Sequence, residues 1–232
     1  MVSPGRREEK DCDFKLSWFG EHLGKTFASY GQWILDGEQK RIEQVGSSRL
    51  ESRKNDCKDR TTIAQKTHRL HNNQACEFEQ GIILVRNPFD AILAAYNHHK
   101  AGKTGEPPMT VYKGPDWPEF VDHWAYRWEE FHLQWLAFDG PVEWTCFQTL
   151  IKDPVETAGK WLDFLEMDHR RLGCIHADPT GQFQRKKTQD YSHLYTPKMA
   201  KYVHQKIKTI SDGFKQKGIE DCTQYFKYDK CC

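Results

Sequence analysis

Arg86 stands between two unlike patterns, and that position makes it a candidate anion ligand. Residues 82–85, IILV, are continuously apolar and β-rich, as expected of a central parallel strand covered by helices on both faces. Beyond the arginine, Pro88 suits the first turn of a helix, where its missing N–H costs nothing, and Ile92, Leu93, Ala95 and Tyr96 supply an apolar helical face. A guanidinium at the carboxyl end of a strand and the amino end of a helix can hold a phosphorylated molecule bidentately. The same residues also fit a plain scaffold in which Arg86 pairs with Asp90 or another carboxylate. His68 is the second candidate, with Lys66 two positions before it: residues 61–64 can form a short strand, and continued extended geometry would put both side chains on one face. A single histidine equally fits a surface or structural hydrogen-bonding role. The third stretch holds Gly181, Phe183, Arg185 and Lys186, which taken alone reads as a basic solvated loop.

Other familiar chemistries lack their residues. GKT at 24–26 ends as a nucleotide P-loop does, but the position that requires the first glycine is Phe19. The 8 cysteines, at 12, 57, 76, 146, 174, 222, 231 and 232, include no pair with the two to four intervening residues of a zinc site, so no metal centre is expected. Either disulfides in an oxidising lumen, with Cys57–Cys76 and Cys146–Cys174 as pairings, or buried free thiols fit that spread. Lys+Arg 34 against Asp+Glu 33 leaves +1, which removes any bulk electrostatic case for nucleic acid or an acidic membrane surface; an anion site must be local.

The elements that would position these groups are legible in outline. With 232 residues and 38% hydrophobic content the chain can build one substantial core, and two independent domains are not expected. A mean hydropathy of −0.83 is low for a globular protein. Trp 8, Tyr 9 and Phe 13 offset it with large apolar surfaces, predicting a polar exterior around an aromatic core. The helix that starts near Pro88 is expected to end at residues 100–102, and 101–118 reads as a Gly/Pro-rich loop able to form a substrate rim. Phe120, Trp124, Trp128, Phe131, Trp135 and Phe138 recur at three and four positions, predicting a long helix whose aromatic stripe is core. A strand over 142–147, a turn, a helix with Val155, Ala158, Trp161, Leu162 and Leu165 inward, and a late helix from Pro197 capped by Thr196 complete the pattern. Strands separated by helices imply a small α/β sheet. No stretch approaches the roughly 20 apolar residues of a membrane span, and the first residues do not form a secretory signal.

KTH at 66–68, LVRNPFDAILAAY at 84–96, WTCFQTLIKDP at 144–154, RLGCIHADPTGQFQRKK at 171–187 and YTPKM at 195–199 resemble, in order and spacing, the landmarks of a PAPS-dependent sulfotransferase domain. Among such proteins the chain is most similar to the WSC-domain-containing family, often described as sialate O-sulfotransferases. The resemblance covers roughly residues 25–215, leaving 1–24 as an irregular amino-terminal segment and 216–232 as a carboxyl-terminal tail. It implies an α/β, P-loop-like three-layer fold, a small parallel sheet flanked by helices.

The resemblance also implies roles. Arg86 would bind the 3'-phosphate of PAP, and Gly181, Phe183, Arg185 and Lys186 would close over the nucleotide, glycine by close backbone approach, the ring by packing and the basic pair by charge. His68 would be the general base on the acceptor hydroxyl, with Lys66 as electrostatic partner. His98 and His99, at the far end of the helix after Arg86, are left as structural or acceptor-side residues. The implied reaction is in-line sulfuryl transfer from PAPS to a hydroxyl of a glycan or glycoconjugate, sialic acid included, without a metal. The implied setting is the Golgi, with nucleic acid excluded and a homo-oligomer left open. The alternative is an inactive relative that binds PAP or a sulfated glycan. Two departures stand out. Ala94 occupies the place where a serine commonly shares the 3'-phosphate, and residues 1–60 contain no match to the glycine-rich 5'-phosphosulfate loop of the type PKSGTTW. A chain lacking the first strand of the fold, either truncated or divergent, is therefore expected.

Overall fold

The computed structural model describes residues 79–102, 105–170, 172–177 and 192–226. The first element is β1 (Gly81–Val85), which leads through Arg86 and Asn87 into α1 (Pro88–Ala101). Asn87 caps that helix, its Oδ1 accepting the Phe89 N–H at 3.1 Å. Gly102 closes it at φ 75°, in the left-handed region that side chains rarely adopt, so the helix ends where lysine followed by glycine predicted. After a 3-10 turn at Met109–Lys113 comes α2 (Asp116–Leu136), then β2 (Val142–Cys146), α3 (Phe147–Lys152), α4 (Pro154–Phe164), α5 (Leu172–Ala177) and α6 (Pro197–Lys217). Short 3-10 turns at Ser192–Leu194 and Cys222–Tyr225 flank α6.

β1 and β2 pair in parallel, from Gly81↔Val142 to Val85↔Cys146, and among the described residues the sheet has these two strands. Parallel strands need a long crossover, here supplied by α1 and α2. The result is a small parallel sheet flanked by helices, an α/β arrangement of largely helical content. Gly81 is glycine because a Cβ there would stand 2.7 Å from the Trp135 indole, which lies across the start of β1.

Two 21-residue helices, α2 and α6, organise the core. Their amino-terminal halves, through Trp117, Val121, Ala125, Met199, Ala200 and Val203, enclose the apolar face of α1. Their carboxyl-terminal halves, through Trp128, Trp135, Leu136, Ile210 and Phe214, cover Ile83, Val85 and Cys146 on one face of the sheet. The two helices therefore run side by side in the same direction. Lys206 Nζ meets Glu129 Oε2 between them at 2.6 Å, with side-chain exposures of only 18% and 12%, so removing either partner would strand a largely buried charge. The opposite face of the sheet is half-buried, and there Trp161 of α4 donates from Nε1 to Thr145 Oγ1 at 2.7 Å. Thr196 caps α6 as predicted, its Oγ1 accepting the Met199 N–H at 3.3 Å. Within the expected rim loop, the described part at 105–118 is tied to α1: Tyr112 is buried and donates to Asn97 Oδ1, while Tyr96 donates to the Val111 carbonyl at 3.1 Å.

The disulfide differs from the expected pairing. Cys146 bonds to Cys222, not to Cys174, across a sequence separation of 76 residues. The reason is topological: the chain turns back after α6 and brings Cys222 to the buried end of β2, whereas α5, which carries residue 174, packs on α4. Asp221 fixes the turn by accepting from Ser211 Oγ at 2.6 Å and from the Thr223 N–H at 3.0 Å. Residues 218–226 are thus held on the body. The expected Cys57–Cys76 pair and the strand at 61–64 lie outside the described residues.

His132 is wholly buried among the rings of Trp128, Phe131 and Trp144. Its Nδ1 donates to the Trp128 carbonyl at 2.6 Å, and its Nε2 is buried without a hydrogen-bond partner. Burial disfavours the imidazolium and pulls the pKa down to about 4.

Two predictions follow from this packing. Breaking the disulfide with Cys222→Ser should cost about 2–5 kcal/mol of unfolding free energy, read as a lower urea midpoint under oxidising conditions; an unchanged midpoint would contradict the bond. The unfolded chain takes up a proton at His132 near the ordinary histidine pKa, and the folded chain only near pH 4. Stability therefore falls as pH drops from about 6.5 toward 4, by roughly 2 kcal/mol at pH 5, and His132→Phe should flatten that part of a urea-midpoint profile.

Candidate functional site

Parallel register decides what stands beside Arg86. Val85 pairs with Cys146, so the next residues, Arg86 and Phe147, emerge together at the carboxyl edge of the sheet. The Arg86 guanidinium carbon lies 4.8 Å from the centroid of the Phe147 ring. On the other side Trp128 of α2 donates from Nε1 to the Arg86 carbonyl at 3.1 Å. Backbone and side chain of the arginine are thus held by different elements. A ring against the face of a guanidinium holds its plane, and the N–H donors point outward within that plane.

The amino end of α1 contributes less than its position suggests. Pro88 has no N–H, the Phe89 N–H is taken by Asn87 Oδ1, and the Ala91 N–H by the Asn87 carbonyl at 3.0 Å. Asp90 adds a carboxylate to the first turn. The helix dipole still favours an anion there, and Arg86 adds a full positive charge at this edge. The arrangement can bind a multiply charged oxyanion; by itself it contains no group that moves a proton.

Of the residues assigned a catalytic or nucleotide-binding role from the sequence, Arg86 is the one whose surroundings are described; Lys66, His68, Gly181, Phe183, Arg185 and Lys186 lie outside the described residues. Ala94 is half-buried on α1. His98 is buried, and His99 is exposed at the mouth of a groove between α1 and α2. Phe147 and Trp128 were missed as site residues. Phe147 reads in sequence as the last residue of a strand, and only the pairing register reveals that it opens α3 beneath Arg86. Trp128 reads as one ring in an apolar stripe, with no sign that its N–H would hold the strand end. Among the described residues no group of three or more His, Cys, Asp or Glu could hold a metal ion, and no helix is long and apolar enough to cross a membrane.

Comparison with known proteins gives distant relatives of one name. The chain is 28% identical over 156 residues to a WSCD family member of Aedes aegypti, 27% to one of Drosophila melanogaster and 28% to one of Drosophila pseudoobscura pseudoobscura. Each match spans 65% of this chain and 49% of the relative, so the chain spans about half the length of the curated relatives it matches. No protein-family model matches the chain, and no solved structure matches it. These similarities support kinship with the WSC-domain-containing family.

The contact between Arg86 and Phe147 is directly testable. A double-mutant cycle with Arg86→Met and Phe147→Leu, followed by urea unfolding, should return a coupling of about 0.5–2 kcal/mol. Additive effects would separate the two side chains.

Proposed function

We propose that this chain is the nucleotide-binding part of a PAPS-dependent sulfotransferase, with Arg86 holding the 3'-phosphate of PAP, and that it acts on a hydroxyl of a glycan or glycoconjugate. The observation that carries the reading is a half-buried arginine at the carboxyl edge of a parallel sheet, stacked on Phe147 and anchored through its carbonyl by Trp128. Kinship with the WSCD family members and the order of the sequence landmarks support it.

PAPS, when bound, supplies the sulfuryl group and leaves as PAP. In this reading Arg86 neutralises the 3'-phosphate, and the Phe147 ring limits the arginine's freedom before binding, which lowers the ordering cost. Gly181, Phe183, Arg185 and Lys186 close over the nucleotide. His68, neutral at the start, takes the acceptor hydroxyl proton as the new oxygen–sulfur bond forms and the bond from sulfur to the phosphate oxygen breaks; Lys66 offsets charge at the sulfuryl oxygens. The buried Cys146–Cys222 disulfide supports residence in an oxidising lumen, of which the Golgi is the one that the reaction implies.

A second reading is a protein that holds PAP or a sulfated glycan without turnover. Titration and turnover separate the two. Arg86→Ala should weaken PAP binding about 10- to 100-fold by calorimetry, the worth of a charged hydrogen-bonded contact, with little loss of helix content; unchanged affinity would remove Arg86 from the site. His68→Ala should lower transfer to a sialylated acceptor panel far more than it lowers PAP affinity. Tight PAP binding with no transfer by the unmodified chain selects the second reading.

A further inference from the structure

At the end of α1 remote from Arg86 a groove of about 300 Å³ opens against the amino-terminal half of α2. Eleven helical steps separate Pro88, at the start of α1, from His99 at its mouth, a rise of roughly 17 Å, so the groove is no part of the Arg86 edge. Its wall is aromatic. Phe120 and Trp124 lie 5.8 Å apart, His99 stacks on Phe120 at 6.2 Å, and the His123 ring meets Trp124 edge-on at 4.9 Å. Its rim is polar and mixed in kind: the Glu119 carboxylate, the His123 imidazole and the Lys100–Asp116 ion pair at 2.9 Å.

That composition discriminates between ligand classes. The ion pair cancels its own charge, leaving Glu119 as the unbalanced group, so an anion is disfavoured. A small cation would find a single carboxylate outside the ion pair, Glu119, and would have to compete with Lys100 for Asp116. A neutral sugar ring meets no such conflict. Its C–H faces pack on Phe120 and Trp124, and its hydroxyls find acceptors in Glu119 and His123. The His123 pKa is lowered by partial desolvation and by Arg127 on its own helix, with Glu130 pulling the other way, which favours the neutral ring that can accept.

We infer that the groove formed by His99, Glu119, Phe120, His123 and Trp124 binds a neutral hexose or hexosamine unit of a glycan, as a subsite separate from the Arg86 edge. It would hold a glycan chain at a distance from any chemistry at that edge, adding affinity through a second contact point.

The probes are lactose and chitotriose, followed by saturation-transfer NMR and Trp fluorescence on the whole chain. At least one sugar should show saturable binding, and the Glu119→Gln/His123→Ala variant, altered only at exposed positions, should weaken it roughly fivefold or more. Circular dichroism confirms that the variant is folded, and its PAP affinity should be unchanged, so this inference and the proposed function stand or fall separately. Absence of transfer from both sugars, equal binding by the variant, or displacement by choline, which would mark a cation site, each overturns the inference.

Discussion

The parallel register of two five-residue strands is the constraint on which the described structure depends. Because Val85 faces Cys146, one backbone step beyond the pair puts Arg86 against Phe147 and aims α1 and α3 away from the same edge. A slip by one residue would turn Ile83 and Val85 away from α2 and α6 and expose them. Three interactions resist that slip. Trp128 bonds the Arg86 carbonyl, Trp161 bonds Thr145 on the opposite face, and Cys222 is bonded to the last residue of β2. Two strands alone are marginal, and in the described structure the sheet is held by the long helices packed on it.

The electrostatics follow the same division of labour. Positive and negative side chains nearly balance over the chain, and many of the described charges sit in surface pairs such as Lys160–Glu156 and Lys208–Asp212, each worth little in water. The exceptions are placed inside or at edges. Lys206–Glu129 lies between α2 and α6, and Arg86 lies at the sheet edge with a ring on one side. The proposed anion site therefore rests on local geometry and not on net charge.

The sequence revealed helices better than it revealed contacts. Pro88, the run of apolar residues to Tyr96 and Gly102 together bracket α1; Thr196 and Pro197 do the same for α6, because caps and periodicity are local signals. The aromatic stripe of α2 was legible for the same reason, although its most buried tryptophan, Trp117, stands just ahead of the stripe that was counted. What was not legible is what distant segments do together. Nothing local in residues 142–147 tells that Phe147 leaves the strand and lies under Arg86. Spacing alone did not distinguish Cys174 from Cys222 as the partner of Cys146. The groove between α1 and α2 was also hidden, since its residues come from two elements and only the helix crossing brings His99 beside Phe120. Arg86 was legible because a strand end, a charged residue and a helix start adjoin in sequence.

The central claim is that this strand end holds a nucleotide through its 3'-phosphate. A crystal structure of the chain with PAP tests it most directly. The account predicts the 3'-phosphate within hydrogen-bonding distance of the Arg86 guanidinium, with the Phe147 ring still against its other face. PAP bound elsewhere, or a 3'-phosphate facing solvent while Arg86 pairs with a carboxylate, would contradict it.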